Sequence, residues 1–467
     1  MEFKIAPIEV PKDDPFRFDA LDRKGPIEGD LTNLIDALKG PFVLAINSPW
    51  GTGKTTFVRM WKAFLESRGF SCLYFNAWEA DFSADPLVAF LGELEALQKR
   101  AGGENETFRD HFSTAKRIAT VIAKRAAPVA AKIATAGILD LNSFTEAAIA
   151  DFVKDAVKDA VDAYTAEKKL IIQFRVSLTK AVASLKEADK KGKLIVFVDD
   201  IDRCRPTFAI ELLERVKHIF DMDNVIFVLS IDKGQLAVSL KAIYGAGLNA
   251  DAYLRRFLDL EYSLPPPDPK AFTNNLFNRF GFDAFFAERT HTALEHEPRH
   301  LVETFTTLSD LLKLDLRARE QCFTRLRVAM LTTPPNEHFF PMLVTTLVIL
   351  SAGAPEVYRQ YAVENGSATE VLKYLSSLKG GEEFLGEHFG TVMEAYLLAA
   401  DTTGIRGNSQ EIERYRAVVN NQDADPAERE RATTIVRLVD RMSFPGEPKP
   451  SRKNIVRKIE LTAQFKE

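Results

Sequence analysis

Ser48-Pro49-Trp50-Gly51-Thr52-Gly53-Lys54-Thr55-Thr56 lies between an apolar run, Phe42 to Ile46, and a stretch where Phe57, Met60, Trp61, Phe64 and Leu65 recur at helical spacing. A strand, a glycine-rich loop ending in Lys-Thr and a helix are what the phosphate-binding consensus G-x-x-x-x-G-K-[ST] requires. Ser48 stands where that consensus opens with glycine, but Gly-Thr-Gly-Lys-Thr-Thr is intact. The chemistry rests on the backbone. Successive N–H groups turned inward hold phosphate oxygens, and the helix start adds its dipole. Gly51 and Gly53 let the backbone come close, Lys54 is placed to reach the outer phosphates, and the Thr55 hydroxyl is a Mg²⁺ ligand. The whole stretch from Ser48 to Thr56 is thus the predicted nucleotide cradle.

The second informative stretch is Leu194-Ile195-Val196-Phe197-Val198-Asp199-Asp200. A continuously apolar run predicts a central parallel strand covered on both faces. Ligands of open α/β sheets bind at the carboxyl ends of such strands. Asp199 is therefore the predicted Mg²⁺ carboxylate, and Asp200 a general base or positioner of the attacking water. The run of charge from Asp199 to Arg205 also suits a plain solvated turn. Both segments in this order predict a P-loop nucleoside triphosphatase. Ser71 to Asn76 reads as a strand lying between the two motifs in sequence, which marks the additional-strand division that includes AAA+ proteins. Asn224 to Ser230 reads as a further strand, with Ser230 or Asp232 where a γ-phosphate sensor would sit.

Phe75-Asn76-Ala77-Trp78, Asp199-Asp200-Ile201-Asp202-Arg203-Cys204 and Trp50-Gly51-Thr52-Gly53-Lys54-Thr55 together resemble the KAP family of P-loop NTPases, over roughly residues 15–330. That family is named for an ankyrin-rich animal membrane protein and a plasmid-encoded phage-exclusion protein. The resemblance implies ATP and Mg²⁺ as cofactors, and for bacterial members a place in anti-phage or mobile-element systems. It also gives meaning to Arg255 and Arg256, which precede a final strand from Leu260. An arginine there in AAA+-like proteins reaches a neighbouring subunit's nucleotide, so a homo-oligomer is expected; a helix-end arginine facing solvent is the alternative. Arg299, opening a helix after Pro298, resembles a lid arginine that touches the γ-phosphate.

At 467 residues, 46% hydrophobic and 27% charged, the chain is ordinary globular protein with room for two or three domains. The expected fold is α/β: a three-layer P-loop NTPase with a parallel central sheet, a helical insert, a helical lid and an α-helical C-terminal region. The expected boundaries are 15–102 and 193–265 for the core, 103–192 for the insert, 266–330 for the lid and 331–467 for the last domain. A formal net charge of −5 gives no global pull toward nucleic acid. Cys72, Cys204 and Cys322 are scattered and read as small core residues in a reducing, cytoplasmic setting.

Many relatives carry membrane spans between the two motifs, so apolar stretches need weighing. Ile118 to Leu141 holds Lys124, Arg125, Pro128 and Lys132, and Phe339 to Ala354 is short and contains Pro341. Neither reads as a span; the second reads as a buried helix. No acid falls between Asp110 and Asp140, and Ile118, Ile122, Val129 and Ile133 share one helical arc opposite Lys116, Arg117, Lys124, Arg125 and Lys132. Such a face suits a membrane surface, nucleic acid or a partner protein, or a helical hairpin packed on the sheet with its lysines in water. A proline at 128 should kink it, and 145–188 continues in helix. Phe272, Phe277, Phe280, Phe282, Phe285 and Phe286 read as lid core, and Pro448 to Lys458 as a basic mobile arm. Three functions fit: an ATP-hydrolysing switch or motor acting with partner proteins of one system, a nucleotide-gated scaffold with little hydrolysis, and a small-molecule kinase, against which the lack of an evident acceptor site counts.

Overall fold

The computed structural model describes residues 9–83, 85–101, 106–126, 160–184, 191–288, 297–334, 337–364, 366–402 and 409–463. The chain divides into two compact units, 8–266 and 267–467.

In the first unit five strands form one sheet: β1 Phe42–Asn47, β2 Ser71–Asn76, β3 Leu194–Asp199, β4 Val225–Ile231 and β5 Leu260–Ser263. Their order is β2-β3-β4-β1-β5, and every pairing is parallel. All six residues of β3 and all seven of β4 are buried, which is why both read as unbroken apolar runs. Successive residues feed opposite cores. Val43, Ala45, Val196 and Val198 join one cluster, while Leu44, Ile46, Ile195 and Phe197 join the other. Helices cover both faces, giving the three layers the sequence predicts. The sequence places β2 between the two motifs, but in space β2 is an edge strand. It is β4 that separates β1 from β3.

The helix Lys54–Ser67 supplies much of one core through Phe57, Trp61, Phe64 and Leu65. Trp61 is fully buried, its ring edge-on to Phe197 at 5.6 Å and its indole N–H donating to the Thr32 hydroxyl at 3.1 Å. Trp61→Ala should therefore destabilise this unit by about 3–5 kcal/mol through the cavity and the lost hydrogen bond. A denaturant midpoint followed on the sheet checks it, and an unchanged midpoint would refute it.

The other core holds the described helices of the region 103–192. Phe108, Phe112, Ala115, Ala119 and Ile122 of Glu106–Ala126 are buried with Leu170, Phe174, Leu178 and Ala181 of Ala160–Ser184, in one cluster with the sheet. These two helices pack against each other and on the sheet, and Lys116 of the basic face pairs with Glu95 at 2.8 Å. Residues 127–159, with Pro128, Val129, Lys132 and Ile133, lie outside the described residues, as do 185–190.

Every regular element among the described residues of the second unit is a helix. Phe277, Phe280 and Phe282 stack among themselves and on Phe323, so the phenylalanine cluster is core. The helix Pro341–Gly353 is buried from Pro341 to Leu350. Among the described residues no helix is long and apolar enough to cross a membrane. The basic tail departs from expectation. It forms a helix, Arg452–Ala463, that buries Ile455 and Ile459 and is not a free arm. Lys458 is buried too, donating to Thr333 at 3.0 Å and to Glu337 at 2.6 Å, while Arg452 pairs with Asp401 at 3.2 Å. The apolar residues at i and i+4 outweigh the basic composition once they meet a core.

Candidate active site

The loop 48–53 leaves the carboxyl end of β1 and turns into the helix that begins at Lys54. Gly51 and Gly53 take φ of +74° and +85°, where a side chain would be strained. Among the described residues the backbone N–H groups from Trp50 to Thr56 donate to no protein acceptor, although Phe57 N–H already bonds Gly53 O. A run of unpaired donors at a helix start is the arrangement that takes phosphate oxygens. The loop's entry is fixed to the sheet by Ser48 N–H donating to Ile231 O at 3.1 Å. Lys54 is buried and its amine donates to Ser48 O at 2.6 Å and Pro49 O at 3.1 Å. Burial pulls its pKa below the ordinary value, and the carboxylates of Asp202, Asp232 and Asp199 pull the other way.

Only β4 separates the loop strand from β3, whose end carries the carboxylates. Asp199 is 1% exposed and accepts from the Tyr74 hydroxyl at 2.8 Å. Tyr74 lies on β2 two residues before Asn76, which is opposite Asp199. Its phenol is pushed well above its ordinary pKa, first by burial and then by Asp199. Asp200 is also buried and has φ of +59°, an unusual backbone for a residue other than glycine. Its carboxyl is raised to about 6, first by burial, then by the neighbouring Asp199 charge, against the pull of Arg203 at 3.0 Å. Ser230, at the end of β4 between the two motifs, is fully buried with no hydrogen-bond partner on its hydroxyl. Asp232 instead caps the next helix, accepting from Gln235 N–H at 3.2 Å.

The donor set fits a nucleotide with Mg²⁺. One helix-start hydroxyl, Thr55, two buried carboxylates and the unpaired Ser230 hydroxyl gather at the edge where the phosphate loop emerges, all oxygen ligands of the kind Mg²⁺ takes.

Arg255 and Arg256 are exposed just after the helix Ala250–Leu254, the second over the Tyr253 ring at 5.9 Å. They precede β5, and β5 pairs in parallel with β1 from Leu44–Leu260 to Asn47–Ser263. The pair therefore precedes the end of the sheet where the parallel strands begin, whereas the phosphate loop leaves where they end. Arg299 belongs to the second unit, in the helix Glu297–Leu311, with its guanidinium over Phe389 at 5.8 Å.

Sequence reading missed three contacts of the site. Trp50 donates its indole N–H to Asp202. Arg23, 2% exposed, donates to Pro265 O at 2.7 Å and to Thr52 O of the loop at 3.5 Å. Trp78 is 55% exposed, yet the Arg203 guanidinium stands 5.9 Å over its ring. Asn76 sets that turn by accepting from the N–H groups of Trp78 and Glu79.

No curated protein matches the chain. Among solved structures, the Aeropyrum pernix ORC2 protein is similar in its ADPNP-ADP complexes, at 13% identity and a TM-score of 0.31 over 95% of this chain and 93% of that one. Its ADP form gives 14% identity and 0.30 over 99% and 97%. Scores this low carry no argument about this chain. A family model described as the KAP family P-loop domain matches residues 26–328, well over half of the 467 residues, and spans the loop, both carboxylates and all five strands. With that match the chain belongs to the KAP family of P-loop domains.

Proposed function

We propose that the protein is a Mg²⁺-dependent ATPase working as a switch or motor in a bacterial anti-phage or mobile-element defence system. The observation that carries the hydrolytic reading is the meeting of the Lys54 helix start with two buried carboxylates, Asp199 and Asp200, across a single strand. Thr55 and Asp199 would hold Mg²⁺, which when bound neutralises phosphate charge and orients the outer phosphate. Lys54 leaves the Ser48 and Pro49 carbonyls for the phosphates. Asp200, as carboxylate, accepts a proton from the attacking water or fixes its direction. Adenine, the defence setting and a lid role for Arg299 rest on the family resemblance.

A second reading, a nucleotide-gated scaffold that scarcely hydrolyses, is favoured by the exposed aromatics beside the site, Trp78 at 55% and Phe82 at 84%. Exposed rings of that size suit a protein partner. Turnover measured across a protein concentration series, with mass in the same samples, separates the two. Specific activity that climbs with mass and needs Mg²⁺ is the expected result. Tight ATP binding without turnover at any concentration, partners included, would hand the case to the scaffold.

A further inference from the structure

The third aspartate of the acidic turn has no place in the reading above, yet it touches the phosphate loop directly. Asp202 sits in the single helical turn Ile201–Arg203, 6% exposed. One of its carboxylate oxygens accepts from the Trp50 indole N–H, and the other is buried without a partner. Trp50 lies in the strand-side half of the loop, next to the two carbonyls that Lys54 holds, Ser48 O and Pro49 O. That half is thus gripped from two sides. Lys54 holds its backbone, and Asp202 holds its only aromatic side chain, across 152 residues of sequence. A buried carboxylate with one orphan oxygen is costly to keep unless it fixes something. Asp202 is also first among the anions that support the Lys54 charge.

We propose that Asp202 and Trp50 are positioning residues, a brace that holds the phosphate loop in its phosphate-accepting shape against the end of β3. The loop between Pro49 and Gly53 carries two glycines and few contacts of its own. Without the brace it samples other shapes, and nucleotide binding must select the competent fraction. The brace rests on the nucleotide-binding reading only for its effect on affinity; its effect on the loop is independent of any ligand.

The test uses the full chain with Trp50→Phe, Asp202→Ala and Asp202→Asn. Hydrogen exchange of the Ser48 and Phe57 backbone amides, which flank the loop and are bonded to Ile231 O and Gly53 O, should quicken without nucleotide in Trp50→Phe and Asp202→Ala. It should stay near wild type in Asp202→Asn, whose amide oxygen can still accept from the indole. Equilibrium binding of fluorescent ADP and ATP should weaken about tenfold in the first two variants and be largely rescued in the third. In a Trp78→Phe background, loss of the carboxylate in Asp202→Ala should also shift the Trp50 emission. Unchanged exchange overturns the brace, and so does unchanged or tighter binding, the latter marking Asp202 as a competitor of phosphate. If the wild type binds no nucleotide, the functional reading fails, while the exchange result still decides whether the brace exists.

Discussion

Asp200→Asn should abolish ATP turnover, by about 10³-fold, and at the same time make the protein more stable. The two effects have one cause. The carboxylate is buried beside Asp199, and its carboxyl is raised to about 6 from an ordinary 3.8. A folded-state pKa above the unfolded one means the folded chain binds more protons between those values. Stability is therefore full below about pH 4, falls as pH rises through the window, and stays reduced above about pH 6. At about 1.4 kcal/mol per pH unit the charged form costs at most about 3 kcal/mol. Asparagine removes the charge, keeps the shape and tolerates the left-handed backbone at φ +59°. The variant should thus melt several degrees higher at pH 7.5, with the gain shrinking toward nothing near pH 4. For the wild type, kcat/KM should show an acid limb near pH 6. A variant that loses turnover and melts lower at neutral pH would place Asp200 in the fold's support and not in its chemistry.

Alanine at both Arg255 and Arg256 should cut turnover by about 10³-fold while leaving ATP binding intact. We propose that the effect comes from another chain, and the placement of the pair before β5 supports it. Both arginines precede β5, at the edge of the sheet where its parallel strands begin, and the phosphate loop leaves where they end. Six residues of strand put roughly 20 Å between those edges. No side chain of the same chain crosses that gap along the sheet. The decisive measurement is complementation. Mixed with an inactive Lys54→Ala protein that keeps its arginines, the double alanine variant should regain part of its activity, because each protein supplies what the other lacks. Normal turnover of the double variant alone, or no recovery on mixing, would remove shared sites from the picture.

What could be read in the sequence was what is local. The loop needs its glycines, lysine and threonine in consecutive positions, and a strand buried on both faces must be apolar throughout, so the loop, β3 and β4 are legible as they stand. The supports of the site are not local. Tyr74 meets Asp199 across 125 residues, Trp50 meets Asp202 across 152, and Arg23 meets Pro265 across 242. Each residue alone has an ordinary explanation, and only the sheet order brings the pairs together. The C-terminal tail misled for the opposite reason. Its lysines and arginines dominate the composition, while two isoleucines one turn apart and a buried partner for Lys458 decide its place.

The register of the sheet also sets a schedule for synthesis. β1 pairs only with β4 and β5, from Phe42 with Ile226 onward, so its apolar residues leave the ribosome long before either neighbour exists. At about 5–20 residues per second, the wait from Asn47 to Val225 is roughly 10–35 s. During that time Val43 to Ile46 and the loop helix have no sheet to join, and the nascent chain is at its most aggregation-prone. Holding chaperones should engage this protein in that interval and release it only once β4 has emerged.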